Sequence, residues 1–427
     1  MNIEKTIYQV IKENALNNKQ NIAYDFLDYT KTYIDFLEDI DKCAIYLKEI
    51  GISENDIVSI FLPNVPRALV LYYALNKIGA ISNFIHPNIS ISDNKDIVNE
   101  MKPKAIFLLD SMHDKINEFR KNGINSKCII VSVSESLTNK HKLLYKIKEK
   151  YYKTRIEISD LVFYYDDKNI KMIIIDEFKD YNATATILFT GGTTGKPKGI
   201  CLSSKNMNAS AYQTSFYRIH DNEIDKTLAI LPVFHGYGLV NCIHTTLVEN
   251  FTIILLPYYK DKLFINTIVK KKPNYIFGIP TLYSKMIDLL KNMEIDLSFI
   301  KGLYSGGSKL SNTILNQINT LLIEKNSKAV LLEGYGLSEC VGACALMPKD
   351  RFKKGSVGVP YKGVKVKIVD NNTHEELKNN LIGEICIQSD TVMVGYFNEK
   401  DNNNNKIQLI NDERWLFTGD VGYIDNE

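Results

Sequence analysis

Short apolar runs recur along this chain at intervals that leave room for a helix between many of them. Ile57 to Leu62, Ala105 to Leu109, Cys128 to Val133, Thr227 to Leu231, Thr252 to Leu256, Tyr275 to Gly278 and Ala329 to Leu332 are such runs. Their residues do not alternate apolar with polar, so each strand must be covered on both faces. Buried strands separated by helices predict parallel, doubly wound sheets. Pro63 stops the first run, a helix is expected from about Val65 to Ile78, and Gly79 is placed to cap its end. After about Gly355 the texture changes. Val364 to Val369 and Glu384 to Gln388 alternate with a period of two, which predicts antiparallel β structure, a small barrel or distorted sheet. Asp401 to Asn405 reads as a low-complexity loop.

The length of 427 residues suggests two or three core-forming units. A net charge of +2 gives no global reason to expect nucleic acid as a partner. Seven cysteines lack any CxxC pair, the closest two being Cys340 and Cys344, and no histidine is spaced to complete a zinc site. Reduced thiols in a cytoplasmic protein fit that pattern. The N-terminus is charged and amphipathic, with Ile3, Ile7, Val10 and Ile11 on one helical face, and does not read as a secretory signal. No run approaches the ~18 to 20 apolar residues of a membrane span.

One segment is locally basic. Lys140 to Arg155 carries seven Lys/Arg against one Glu, with Leu143, Leu144, Ile147 and Tyr151 on one helical face. A solvated surface helix is the simpler reading. A dock for an acidic carrier protein or an anionic membrane surface is the sharper one.

The strongest chemical signal is Ile187 to Gly199, ILFTGGTTGKPKG. A strand runs into a loop of small residues. Gly191, Gly192 and Gly195 let backbone N–H groups approach phosphate oxygens, and Thr190, Thr193 and Thr194 add hydroxyls. Lys198, with Lys196 as a second candidate, supplies a cation. The kinase and GTPase P-loop is excluded: counting back from Gly195-Lys196 lands on Thr190 where that motif needs glycine, and Pro197 replaces its Ser/Thr.

This loop resembles the phosphate-binding signature of the adenylate-forming superfamily, which includes acyl-CoA synthetases, firefly luciferase and the adenylation domains of nonribosomal peptide synthetases. Further matches follow in the family's order. They are Thr32-Tyr33 with Leu37, Gly51, Leu62-Pro63-Asn64, Leu231 to Gly236 (LPVFHG), Ser305-Gly306-Gly307-Ser308, Tyr335-Gly336-Leu337-Ser338-Glu339, Gly383-Glu384, Gly395-Tyr396 and Trp415 to Asp420 (WLFTGD). The resemblance implies two doubly wound, mostly parallel αβαβα sheets packed together plus a small antiparallel β-barrel-like subdomain. It places units at 1–185, 186–350 and 351–427, the first ~45 residues being able to pack with the second unit.

The implied reaction joins a carboxylic acid to AMP and releases pyrophosphate, normally followed by transfer to a thiol such as CoA. By resemblance, Glu339 would ligate Mg²⁺, Ser338 would bond the α-phosphate, Lys198 would neutralise phosphate charge and His235 would sit beside the substrate carboxylate. ATP or AMP would contact Thr190 to Gly195, Lys198, Gly306, Gly307, Ser308, Glu333, Gly334, Tyr335, Gly336 and Ser338, with Asp420 on the ribose. The acyl pocket would be lined by Phe234, His235, Tyr237, Gly238, Tyr304, Gly306, Tyr335, Gly336 and Val341. Amino-acid-activating relatives carry Asp where His235 stands, so a fatty or aryl acid is expected. Relatives continue into a C-terminal domain bearing a catalytic lysine. The chain ends at Glu427, which gives the expectation of a truncated protein with weak adenylation on its own. The rival readings are a non-catalytic module that binds nucleotide or acyl-adenylate, and a kinase-type ATPase already disfavoured by loop spacing. Oligomeric state and the acid itself stay open.

Overall fold

The computed structural model describes residues 2–92, 94–190, 197–218, 221, 223–398 and 406–427. Two large sheets organise it. The first has the spatial order Gly395–Tyr396, Gly199–Ser203, Thr184–Phe189, Ile81–Phe84, Ile57–Phe61, Ala105–Leu109, Lys127–Val131, Val162–Tyr164. Its strands run parallel from Thr184–Phe189 to Val162–Tyr164, and only the two at the Gly395 edge are antiparallel. The second runs Val359–Pro360, Gly342–Leu346, Leu331–Leu337, Gly302–Ser305, Tyr275–Gly278, Lys226–Ala229, Thr252–Leu255, Ile22–Phe26, Tyr29–Thr32. Its centre is parallel, with antiparallel hairpins at both edges. Ile22–Phe26 pairs with Thr252–Leu255, so the N-terminal hairpin belongs to this second sheet.

The strands expected from apolar runs are present with shifted ends: Lys127–Val131, Lys226–Ala229 and Leu331–Leu337 replace the bounds read from hydropathy alone. The N-terminal helix is Ile7–Asn17 rather than beginning at Ile3. Thr6 starts it with a capping box, its hydroxyl accepting from the Gln9 N–H while the Gln9 side chain accepts from the Thr6 N–H. The helix after Pro63 is Pro66–Lys77, buried on nearly every face, and Gly79 follows it with φ +76°. A helix apolar all round belongs between layers. The largest core cluster joins this helix to strand residues of both sheets, including Val58, Ile60, Ala229 and Tyr275.

The tail spreads over three sheets. Lys365–Val369, Gly383–Gln388, Glu413–Gly422 and Ile407–Ile410 form a four-stranded antiparallel sheet, as their period-two pattern predicts. Val359–Pro360 and Gly395–Tyr396 instead extend the edges of the second and first large sheets. Among the described residues no helix is long and apolar enough to cross a membrane. All seven cysteines are buried thiols.

Below the second sheet Arg218 and Glu249 form an ion pair at 2.6 Å, with side chains 0% and 4% exposed. The guanidinium also donates to the Asn241 carbonyl at 2.9 Å and lies against the rings of Tyr275 and Phe277. Removing one partner strands a buried charge. Arg218→Met is therefore expected to cost about 3–5 kcal/mol in guanidinium unfolding, and Arg218→Met with Glu249→Leu much less. A loss below about 1 kcal/mol for the single variant would contradict a desolvated pair.

Candidate active site

The phosphate loop closes a β-hairpin. Thr184–Phe189 and Gly199–Ser203 pair antiparallel up to Phe189 opposite Gly199. At the mouth the Thr190 N–H donates to the Lys198 carbonyl, and the Lys198 N–H donates to Thr190 Oγ1, both at 3.0 Å. Gly191, Gly192, Thr193, Thr194 and Gly195 lie outside the described residues, as does Lys196. Gly395–Tyr396 lies along the outgoing strand, Tyr396 opposite Ile200, with the Phe397 N–H donating to the Gly199 carbonyl at 2.8 Å. This places the Tyr396 ring 5.1 Å from Lys198 Nζ.

Tyr396 also reaches the second sheet. Its hydroxyl donates to Glu339 Oε1 at 2.9 Å, and the Met393 N–H donates to the Glu339 carbonyl at 2.8 Å. Glu339 sits in a single 3₁₀ turn, Ser338–Cys340, at the tip of the hairpin between Leu331–Leu337 and Gly342–Leu346. The turn reverses through Val341 at φ 60° and Gly342 at φ +117°. The crossing is close enough that a Cβ on Gly336 would lie 1.6 Å from the Gly342 carbonyl oxygen, so only glycine fits there.

Asp420 arrives from the four-stranded sheet. Gly419, at φ +80°, donates its N–H to Glu384 Oε1 at 2.7 Å, beside a register shift between Glu413–Gly422 and Gly383–Gln388. That irregularity brings Asp420 to the cavity, where the Tyr335 hydroxyl donates to its Oδ2 at 2.6 Å. Burial, then the Asp420 carboxylate, raises the Tyr335 phenol well above its ordinary value, so it stays a proton donor.

His235 follows Lys226–Ala229 and leads into the wide π-helical segment Tyr237–His244. A Cβ on Gly238 would come within 2.2 Å of the Pro232 oxygen. The Tyr237 and Tyr283 hydroxyls both donate to the Tyr304 carbonyl, at 3.0 and 2.7 Å, and Tyr304 stacks on Phe277 with ring centres 4.7 Å apart. The imidazole of His235 is open to the cavity but flanked by low-dielectric walls. Burial first, then His86, lowers its pKa below the ordinary 6.5.

These groups surround one cavity of about 770 Å³. Thr190, His235, Tyr237, Gly238, Tyr304, Gly306, Gly307, Gly334, Tyr335, Gly336, Ser338, Glu339 and Asp420 all line it. Other predicted residues stand elsewhere. Phe234 lines a neighbouring cavity of about 540 Å³, between the rings of His86 and His235. Val341 is fully buried behind the wall. Glu333 accepts the Leu310 N–H at 2.8 Å and so braces the turn that carries Gly306 and Gly307, while Ser308 is exposed on it. Asn241, Phe277, Ile279 and Tyr361 line the cavity without having been marked by any motif. The Gly395-Tyr396 dipeptide was marked, but not its hydrogen bond to Glu339.

Comparison with known proteins agrees with this geometry. The AMP-binding enzyme family matches residues 11–397. The long-chain-fatty-acid–CoA ligase of Bacillus subtilis (strain 168) is 28% identical over 431 residues, covering 99% of this chain and 75% of that protein. The probable 4-coumarate–CoA ligase 1 of Dictyostelium discoideum is 27% identical, covering 99% and 76%. Among solved structures, a long-chain-fatty-acid-CoA ligase from Archaeoglobus fulgidus superposes with a TM-score of 0.81 at 19% identity, covering 99% of this chain and 82% of that one. The O-succinylbenzoate coenzyme A synthetase of Bacillus subtilis, in complex with ATP and magnesium ion, gives 0.79 at 21%, covering 98% and 77%. At those identities the structural likeness speaks for the fold alone.

The lowered His235 pKa has a sign that can be checked. The unfolded chain, with a pKa near the ordinary 6.5, binds this proton more readily than the folded one. Stability is therefore expected to fall as pH drops below 6.5 towards the folded pKa, and His235→Asn should flatten part of that slope. An NMR titration should place His235 below 6.5, and a midpoint at or above it would contradict a desolvated imidazole.

Proposed function

The chain belongs to the AMP-binding enzyme family, and on that premise we propose that it activates a carboxylic acid without an α-amino group. A substrate carboxylate oxygen attacks the α-phosphorus of ATP, the bond to the departing pyrophosphate breaks, and acyl-AMP forms. A thiol, CoA by analogy with the relatives' names, then attacks the acyl carbon. It loses its proton, AMP leaves, and a thioester remains. The observation that carries this reading is the convergence of His235, Ser338, Glu339 and Asp420 on one cavity with aromatic and glycine walls.

Each group has a task suited to its setting. Lys198, beside Tyr396, offers a cation to the phosphates. Ser338 offers a hydroxyl to the α-phosphate. Asp420, oriented by Tyr335, accepts from ribose hydroxyls. Glu339 suits Mg²⁺ because its hard carboxylate oxygens line the cavity and Tyr396 orients one of them. Bound there, the ion would offset phosphate charge. His235, neutral near pH 7, can hydrogen-bond a carboxylate but offers no anion to an ammonium group. That argues for a fatty or aryl acid, the classes in the relatives' names. The division expected at 185/186 cuts through Thr184–Phe189, so the phosphate loop belongs with the first sheet, while the rest of 186–350 carries the acyl wall and 351–427 brings the ribose carboxylate.

ATP–pyrophosphate exchange with a panel of fatty, aryl and amino acids tests this. Exchange is expected with an acid lacking the α-amino group. Stimulation by α-amino acids alone, or release of phosphate in place of pyrophosphate, would overturn it. Tyr396→Phe removes only the hydroxyl that orients Glu339. It should lower the exchange rate about 10- to 100-fold and raise the magnesium concentration needed for half-maximal rate. An unchanged magnesium dependence would mean that Tyr396 does not serve Glu339.

A further inference from the structure

One helix is turned inside out relative to the rest of the fold. Asn139–Lys153 contains no buried residue. Its polar and aromatic side faces the protein. The Tyr145 hydroxyl donates to Asp110 Oδ1 at 2.5 Å, the Ser134 hydroxyl donates to Glu149 Oε1 at 3.4 Å, and the Tyr152 ring lies 6.0 Å from that of His113. The opposite side carries Leu143, Leu144, Ile147 and Tyr151, which are 68%, 63%, 76% and 54% exposed. A surface helix of a globular protein normally directs its apolar stripe at the core. Here the stripe faces solvent, and four large apolar side chains at i, i+1, i+4 and i+8 form one continuous face.

Cations border that face. At 3.6 residues per turn Lys146 and Lys150 fall on one side of it and Lys148 on the other. Lys140 falls in line with the face one turn before it, and the Arg155 guanidinium lies 5.1 Å from the Tyr151 ring. The lone acid of the segment, Glu149, is turned towards the body, where it pairs with Lys153 at 3.2 Å with only 14% of its side chain exposed.

We propose that Asn139–Lys153 docks this protein on an anionic bilayer. The Leu143, Leu144, Ile147 and Tyr151 face enters the boundary between headgroups and acyl chains while the bordering lysines meet lipid phosphates. The arrangement favours a membrane over an acidic protein. An anionic bilayer sets negative charge in a plane directly above an apolar layer, and this helix sets cations along both borders of an apolar stripe. An acidic protein surface would answer the lysines and leave the stripe in water. Tyrosine beside the stripe suits the interface, where its ring is half apolar and its hydroxyl stays wet. Binding does not depend on the acid-activating reading, so the two can fail separately.

Vesicle flotation tests the proposal. The chain is mixed with vesicles of phosphatidylcholine and phosphatidylglycerol in equal amounts, or of phosphatidylcholine alone. It should float with the anionic vesicles, and binding should weaken at least ~10-fold between ~0.1 M and ~0.5 M salt. Leu143→Ser with Ile147→Ser, and separately Lys146→Glu with Lys150→Glu, should each weaken it at least ~10-fold with thermal unfolding unchanged, because all four side chains are exposed. Leu144→Trp adds an exposed reporter to the single buried Trp415, and its fluorescence should shift to the blue on binding. Failure to float, flotation without a blue shift, or variants that float like the parent would overturn the proposal. So would capture by an acidic protein in the absence of any vesicle binding.

Discussion

The hydrogen bond from the Tyr396 hydroxyl to the Glu339 carboxylate, beside the backbone bond from Met393 to the Glu339 carbonyl, joins two large sheets at one acidic side chain. Glu339 sits at the tip of a hairpin in the second sheet, and Tyr396 lies on the edge of the first, over the strand leaving the phosphate loop. The segment leading to Tyr396 is held from two sides. Arg414 of the antiparallel sheet donates to the Met393 and Val394 carbonyls at 3.0 and 2.9 Å. Asn206, inside the capping box of Ser204–Ser215, donates to the Asp390 and Val392 carbonyls. All three sheets therefore bear on one carboxylate. The Glu339 backbone is fixed by Met393 and one of its carboxylate oxygens by Tyr396, which is what a charged substrate needs from a site that must be ready before it binds.

Glycine does a second part of this work. The hairpin that presents Ser338 and Glu339 closes only because Gly336 has no Cβ to strike Gly342, and the segment after His235 packs only because Gly238 has none to strike Pro232. These two residues line the cavity by letting backbone approach backbone. Aromatic groups fill the remainder: Tyr237, Tyr304 and Phe277 interlock through ring contacts and a shared carbonyl. The buried Arg218–Glu249 pair lies beneath Phe277 and Asn241, so the floor of the cavity rests on charge balance as well as packing.

Much of this was legible in the sequence, for physical reasons. Strands buried on both faces must be continuously apolar, so Ala105–Leu109 and Thr252–Leu255 announce themselves by composition. Local motifs such as the Thr190 hairpin mouth and Tyr335 to Glu339 encode backbone shape in glycine positions. Contacts between distant segments leave no such trace. Nothing local distinguishes Glu333, which braces the turn before Leu310, from a nucleotide contact, and Phe234 faces its own cavity, its ring tilted against that of His86 at 4.6 Å. Asn241 and Tyr361 enter the wall only through tertiary packing. The N-terminal helix begins at Ile7 because Thr6 caps it, a signal that outweighs the apolar Ile3. The basic helix shows the converse: its amphipathic pattern was visible, but only the fold shows that its apolar side points outward.

One cavity, on this reading, is built for an acid and AMP joined together. Isothermal titration calorimetry with non-hydrolysable acyl-adenylate mimics measures this directly, using acyl groups of graded length, an aryl group and an aminoacyl group. A fatty or aryl mimic is expected to bind at least ~100-fold more tightly than AMP or the free acid alone. Binding of the mimic no tighter than AMP, or a preference for the aminoacyl form, would contradict it.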